Sequence, residues 1–428
     1  MVAREAQSYY LASANPAPVR APLEGEAVAD VCVVGAGFTG LSAALHLAEH
    51  GHDVAVVEAN RVGWGASGRN GGQTIVGLAS GMVEARELLG EAWARRIWEL
   101  TLEAVALQRQ LIERFEIACD YRPGYVYAAA RPRHMAEIVE EHELLARWGY
   151  DGARVLDRTE IARAVVGPNY AGGLLDRESG HLHPLNYALG LAAAATAMGV
   201  RIYEGTRAIE VARGQPAGVR TERGRVRCRH VLLAGNAYLD DLAPTLADHV
   251  LPVTTYILAT EPLGERRARE LIPDDVCVSD SKRILDYYRL SADHRLLFGG
   301  RADYSLRAPG NLAEAMRRRM LAAFPQLDDV RLDYLWGGNV AVSSNRLPHV
   351  GRLDDGVYFA QGFSGHGVAL TGMVGKLVAE AIVGESEGFD LLARIPHKRF
   401  PGGRAVSGRL KALGVLWYRL RDRLEGSQ

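Results

Sequence analysis

Long apolar runs are missing from this 428-residue chain: the longest, residues 187–200, is alanine-rich and too short to span a bilayer. Cysteine is scarce. Cys32, Cys119, Cys228 and Cys277 lie far apart with no CxxC pair, which argues against a disulfide framework and against a zinc site, so no metal is expected. Charge of one sign is also absent. Fifty Lys and Arg stand against 51 Asp and Glu, for a net charge of −1, and nothing recommends nucleic acid as a partner. The first 29 residues contain no apolar core of a secretory signal, so the cytoplasm is the expected compartment and membrane contact is not expected. What remains, 48% hydrophobic and 24% charged, is the profile of a globular protein long enough for two or three domains.

The most informative stretch is residues 30–73. A buried strand, residues 31–34, runs into Gly35-Ala36-Gly37-Phe38-Thr39-Gly40. A helix over residues 41–50 follows, then a second strand over residues 53–57 that ends in Glu58 and Ala59. This is the dinucleotide-binding fingerprint in its full βαβ context. Gly35 permits the tight turn, Gly37 lets a pyrophosphate approach the backbone, and Gly40 lets the helix pack on the strand. The free N–H groups and positive dipole of the helix start then face phosphate. Glu58, 18 residues beyond Gly40, stands where an acid binds a ribose hydroxyl pair and repels a 2′-phosphate.

A second glycine-rich loop comes directly after: Gly63-Trp64-Gly65-Ala66-Ser67-Gly68-Arg69-Asn70-Gly71-Gly72-Gln73. Its glycines let the backbone lie flat against something large, and Ser67, Arg69, Asn70 and Gln73 supply donors. A nicotinamide dehydrogenase has no obvious need for this loop, whereas the flavin end of FAD continues past the pyrophosphate into this region. The dinucleotide theme returns twice. Gly235 ends a buried strand over residues 231–234, near the crevice at the strand ends of a doubly wound sheet. Gly362, Ser364, Gly365, His366 and Gly367 form a turn between a strand and a helix over residues 368–383. No second complete fingerprint with a following acid occurs, so a separate NAD(P)H site is not expected.

The expected fold is α/β: a Rossmann-like FAD-binding domain with an α+β substrate domain whose sheet is mainly antiparallel. Residues 1–29 read as a polar arm punctuated by proline. Residues 30–90, 150–245 and 338–386 read as a discontinuous FAD-binding domain, and residues 91–149 and 246–337 as the substrate domain. Residues 84–117 read as one long helix, residues 133–147 and 185–198 as two more, and residues 225–234 as strand. Residues 387–428 are a tail that is basic over residues 394–423, with nine Lys or Arg against Asp422 alone; Leu410, Leu413, Trp417 and Leu420 share a helical face.

Together the motifs resemble the D-amino-acid-oxidase-like family of FAD oxidoreductases and, within it, the bacterial oxidases of gamma-glutamylputrescine. The resemblance spans Ser8-Tyr9-Tyr10, the fingerprint, residues 65–73, Gly180-His181-Leu182-His183-Pro184, Arg346-Leu347-Pro348-His349-Val350-Gly351, residues 362–367 and residues 416–424. It implies noncovalent FAD, since Gly338 and the region of Arg69 lack the cysteine and histidine through which some relatives tether flavin. It implies oxidation of an amine C–N bond by hydride transfer, hydrolysis of the imine, and oxygen as electron acceptor with release of hydrogen peroxide. Tyr256, Tyr288 and Trp336, on the substrate sheet, and His366 are then the candidate catalytic residues; strand alternation lets only one of Tyr287 and Tyr288 face the flavin. His181 and His183 read as structural. Relatives acting on small amino acids carry an arginine at the position of Val340, or a lysine at that of Ala369. Their absence disfavours a short α-amino acid and favours an amine whose carboxylate lies far from the reacting carbon, with Arg289, Arg295 and Arg301 as candidate contacts. The alternatives are an N-methyl or D-amino-acid oxidase or dehydrogenase, and a noncatalytic flavin-binding subunit. Oligomeric state is not readable from the sequence.

Overall fold

The computed structural model describes residues 8–214, 216–282, 284–303, 310–354 and 356–400. The basic tail beyond residue 400, with Leu410, Leu413, Trp417 and Leu420, lies outside the described residues.

Two sheets carry the architecture. The cofactor sheet has six strands in the order His349–Asp354, Val357–Gln361, His230–Leu233, Val31–Val34, Val54–Val57, Arg201–Tyr203. Its inner strands pair in parallel, and every side chain of Val31–Val34, Val54–Val57 and Val357–Gln361 is buried. Short, continuously apolar strands are what a parallel sheet covered on both faces requires. The fingerprint helix, Phe38–Glu49, lies on this sheet and packs against Leu370–Val383. Ser42 Oγ donates to the Gly372 carbonyl at 2.6 Å, and a Cβ at Gly375 would overlap the Thr39 carbonyl. The two helices therefore touch backbone to backbone near their N-termini.

The substrate sheet has nine strands. Its path runs Leu332–Ser343, Val250–Thr260, Leu296–Asp303, Tyr287–Leu290, Cys277–Asp280, Arg122–Ala128, Gly173–His181, Gln73–Thr74, with Ala153–Leu156 also pairing to Gly173–His181. Only the pairing of Cys277–Asp280 with Arg122–Ala128 is parallel. A smaller four-stranded sheet runs Gly25–Val28, Gly224–Cys228, Ala217–Thr221, Ala208–Ala212.

Four expectations need correction. The strands Ala153–Leu156 and Gly173–His181, expected within the FAD-binding part (150–245), belong to the substrate sheet: Gly173–His181 pairs with Arg122–Ala128, 45 or more residues before it, and Ala153–Leu156 joins the sheet by pairing with Gly173–His181. The arm read as polar carries structure over its described part, residues 8–29: Tyr9–Ala12 forms a helical turn capped by Ser8, Tyr9 and Tyr10 are buried, and Gly25–Val28 pairs with Gly224–Cys228. The helix expected over residues 84–117 breaks at Gly90, whose φ of 89° closes Met82–Leu89 and opens Glu91–Arg114. The strand expected over residues 225–234 is two strands in different sheets, parted where Arg229 and His230 both donate to the Asp30 carbonyl.

Candidate functional site

Between the two large sheets lies a cavity of about 2230 Å³. That exceeds the roughly 300–1,000 Å³ of a typical small-molecule site, and it accommodates a cofactor and a substrate together.

One wall is mostly backbone. Gly35, Ala36, Gly37, Phe38 and Thr39 line it, followed by Glu58 and Ala59, then Gly65, Ala66, Ser67, Arg69, Asn70, Gly71 and Gln73, then Gly235. The Gly37 and Thr39 N–H groups donate to no described residue, while Phe38 N–H is taken by Ser67 Oγ at 3.0 Å. The helix start thus keeps open donors facing the cavity, as phosphate binding requires. A Cβ on Gly37 would stand 2.8 Å from Ser67 Oγ, so glycine is needed for this closure. Glu58 accepts from Ala36 N–H at 2.9 Å and from Asn60 N–H at 2.8 Å. Burial pushes its carboxyl upward and the two N–H bonds oppose that. Three predicted cofactor residues do not reach the wall. A Cβ on Gly40 would overlap the Gly35 carbonyl, so this glycine serves helix–strand contact. Gly72, at φ 73°, turns the loop under Leu182 and Arg289. Gly362, at φ 74°, donates its N–H to Asn236 Oδ1 at 3.0 Å and sets the turn that follows.

The polar side chains of the second glycine-rich loop hold the loop itself. Arg69 Nε donates to the Trp64 carbonyl at 2.7 Å, and its guanidinium lies 5.0 Å from the centre of the Trp64 ring. Asn70 Nδ2 donates to the Ala66 and Ser67 carbonyls, and Asn70 Oδ1 accepts from Gly72 N–H at 2.7 Å. Gln73 spans Val278 and Ser279 of the substrate sheet at 2.8 Å each. A buried layer supports the loop from behind. Trp336 Nε1 donates to the Arg69 carbonyl at 3.0 Å; Arg289 donates to the Gly71 carbonyl at 2.8 Å and to the Tyr10 hydroxyl at 3.2 Å. Sequence reasoning missed Arg289 and Tyr10 in this supporting role.

The turn Ser364, Gly365, His366, Gly367 closes the cavity next to the Leu370–Val383 helix. The N–H groups of Gly365, Gly367 and Val368 have no acceptor among the described residues. With the helix dipole behind them they form a donor set suited to an anionic edge of a bound cofactor. His366 Nε2–H donates to the Val76 carbonyl at 3.0 Å, and burial lowers the imidazole's pKa, so the ring is neutral. Its polar edge is committed to the protein.

The opposite wall consists of side chains. Val253 and Thr255, Tyr287, Val340, Tyr127 and Leu285 face the cavity. Three predicted catalytic residues do not. Tyr288 points to the other face of its strand, where its hydroxyl donates to Tyr170 at 3.1 Å and its ring stacks on Phe298. Tyr256 is buried in the same core, one residue out of phase with Thr255. Trp336 is buried with Tyr9, Tyr10 and Ile257 behind the loop. Strand alternation decides all three. Glycines marked the missed residue: Gly299, directly across from Tyr287, and Gly71 leave the room its ring fills. Arg289 and Arg295 are also off the wall, Arg295 held by Asp293 and Asp333 at 2.7 and 2.6 Å; the side chain of Arg301 lies outside the described residues. Ala369 is buried in the core, away from the wall. His181 and His183 are buried, and His183 caps the Pro184–Ala197 helix through Asn186 N–H.

The cavity's buried carboxylates have partners. Asp176 accepts from Tyr150 and Ser179, Glu141 from Met82 and Val83 N–H, and Asp280 from Asp286 and Lys282 N–H. Lys282 lies 2.7 Å from both Asp280 and Asp286. Among the described residues, none of these three carboxylates is left unpaired to act as a general base.

Among the described residues no helix is long and apolar enough to cross a membrane, and no group of His, Cys, Asp and Glu could hold a metal ion.

Known proteins match this site and this fold. Residues 30–381 match the DAO family model, described as FAD dependent oxidoreductase. The chain is 44% identical over 418 residues to gamma-glutamylputrescine oxidoreductase of Escherichia coli, covering 97% of this chain and 98% of that protein. It is 42% identical to a probable oxidoreductase of Haemophilus influenzae, covering 97% of each. Glycine oxidase from Geobacillus kaustophilus has the same fold, with a TM-score of 0.73 over 88% of this chain and all of that one at 21% identity. Fingerprint, open N–H donors, flavin-sized cavity and family match agree: the chain belongs to the DAO family of FAD-dependent oxidoreductases.

Proposed function

We propose that this enzyme oxidises the terminal amine of gamma-glutamylputrescine. The carbon bearing that amine gives up a hydride and the nitrogen a proton, forming a C=N bond; water hydrolyses the imine, and the products are gamma-glutamyl-aminobutyraldehyde and ammonia. FAD, when bound, accepts the hydride's two electrons; oxygen is the proposed final acceptor, reduced to hydrogen peroxide. The cytoplasm is the proposed compartment.

One observation carries the substrate reading. The wall facing the loop at residues 69–71 presents Val253, Thr255, Tyr287 and Val340, and among the described side chains none of these carries a charge to grip a carboxylate beside the reacting carbon. Losing a charge-assisted clamp in a buried site costs roughly 1.5–3 kcal/mol. A short α-amino acid therefore binds poorly, whereas a chain of methylenes fits a wall of Tyr127, Leu174, Leu285 and Tyr287. The name of the Escherichia coli relative supports the same amine.

The chain's own residues then bind, orient and exclude water. Gly37 and Thr39 N–H would hold the pyrophosphate, Glu58 the ribose, and Gly365, Gly367 and Val368 N–H an electron-rich edge of the cofactor, which would supply a two-electron acceptor. Arg69 and Asn70 fix the shape of the loop at residues 65–73, and Tyr287 lines the cavity on the substrate sheet. With the cavity's buried carboxylates paired, the amine enters neutral and the pH profile of kcat/KM reports the amine.

The test is a ranking of kcat/KM by amine consumption with peroxide measured in parallel. The expected order is gamma-glutamylputrescine first, putrescine well below it, glycine and sarcosine last, with one peroxide per amine. A glycine or sarcosine value equal to or above that of gamma-glutamylputrescine contradicts the proposal.

A further inference from the structure

Beyond the reacting end, the cavity reaches the helix His134–Arg147 and the loop after Ser343. Three charges on this outer wall have no hydrogen bond or ion pair to their side chains among the described residues, Arg346, Glu137 and Glu140; of these, Arg346 and Glu137 bear most on Tyr127, which lines the cavity with them. Both are exposed and line the cavity with Tyr127, whose phenol burial pushes up, Glu137 adding to that shift and Arg346 opposing it. They do not pair with each other. Arg346 lines the same cavity as the turn Ser364, Gly365, His366, Gly367 that closes the cofactor end. Its φ of 60° is a backbone conformation that a side chain of this size adopts rarely, and Ser343 O accepting its N–H holds it there. The neighbouring cation, Lys282, is by contrast locked between two carboxylates.

A separated cation and anion flanking an aromatic hydroxyl fit a ligand end that itself carries an anion and a cation. Between this pair and the reacting end the wall is apolar, through Ile284, Leu285 and Leu174. Resting on the substrate reading above, we propose that Arg346 binds the α-carboxylate and Glu137 the α-ammonium of the gamma-glutamyl head group, with Tyr127 between them. Recognition of the amino acid end has moved from the reacting carbon to the cavity mouth, and Val340 needs no charge.

The experiment compares gamma-glutamylputrescine with putrescine, which lacks the head, on the wild type, Arg346→Gln and Glu137→Gln. Both residues are exposed, so both variants fold. The ratio of the two kcat/KM values is expected to fall about tenfold or more in Arg346→Gln, through KM, and less in Glu137→Gln. Calorimetric titration of the oxidised holoenzyme with gamma-glutamyl-butylamide, which has the head but lacks the terminal amine, should show the same loss of affinity without turnover. A preference that survives both substitutions, with unchanged butylamide affinity, overturns this assignment while leaving the substrate reading intact. A wild type with no preference for gamma-glutamylputrescine over putrescine overturns the substrate reading and this assignment together.

Discussion

The two walls of the cavity are built on different principles. The cofactor wall is backbone: open N–H groups of Gly37, Thr39, Gly365 and Gly367, each exposed because glycine or a helix start leaves it so. The substrate wall is side chain: Thr255, Tyr287, Tyr127, Val340 and Arg346 arrive from five separate segments, and each faces the cavity by the phase of its strand or the φ of its loop. A wall of backbone tolerates almost no change in volume and recognises a large invariant ligand. A wall of side chains can be rewritten one residue at a time, which is how one fold serves glycine oxidase and a polyamine derivative alike.

That contrast can be broken most severely at Gly40. Gly40→Val forces Phe38–Glu49 off its strand, because the new Cβ overlaps the Gly35 carbonyl and its first neighbour beyond is Val33. Overpacking of this kind costs about 1–3 kcal/mol or more. The purified variant should be colourless, and titration with FAD should show little recovery; a yellow Gly40→Val with wild-type stability would mean the cofactor wall is softer than its geometry implies.

The next effect is at Arg289, where a side chain serves the backbone wall. Arg289→Met leaves the Gly71 carbonyl and the Tyr10 hydroxyl without their buried donor, at about 1–3 kcal/mol for each group left unsatisfied. Urea unfolding of the apoprotein should shift to lower midpoint and FAD should dissociate faster. Unchanged FAD release would show that the loop at residues 69–73 holds its shape without this support.

The adjacent tyrosines sharpen the comparison further. Tyr288→Phe removes the hydrogen bond to Tyr170 and should cost about 1 kcal/mol of stability with kcat/KM unaffected. Tyr287→Phe should do the reverse, altering kcat/KM with little loss of stability. The opposite pattern would reverse the phase assigned to this strand.

The smallest effects are in acid. Burial lowers His181, His183 and His349 to about 3 and His397 to about 4. Below the ordinary histidine value of about 6.5 the unfolded chain takes up protons that the folded one refuses, so stability is complete above that value and declines as pH falls toward 3–4. Replacing His397 with Gln should flatten the slope of urea midpoint against pH over that window. An unchanged slope would mean that other groups carry the acid sensitivity.

How much of this was legible in the sequence follows the same division. The fingerprint, Glu58 and the loop at residues 65–73 were legible because backbone contact demands glycine at fixed spacing, and spacing is what a sequence displays. Even there, Gly40, Gly72 and Gly362 act by packing and turning the chain, a distinction that needs three dimensions. The substrate wall was half legible. The sheet was expected and so was the rule that Tyr287 and Tyr288 face opposite ways, but phase was not: Tyr256, Tyr288 and Trp336 fell on the wrong side by a single residue or a single layer. Gly299 held the missing information, since a strand glycine marks where a neighbouring side chain crosses. The membership of Gly173–His181 in the substrate sheet, and with it that of its partner Ala153–Leu156, was illegible, because antiparallel pairing with the distant Arg122–Ala128 leaves no local trace. Tyr10 and Arg289 were hidden for the same reason: they meet across 279 residues.

The most direct test of the central claim is the visible spectrum of the purified holoenzyme without oxygen, before and after gamma-glutamylputrescine is added. The account predicts a noncovalently bound yellow flavin that bleaches rapidly on addition and recovers its colour, with release of peroxide, when air is admitted. A flavin that stays oxidised under gamma-glutamylputrescine but bleaches with glycine or sarcosine would contradict it.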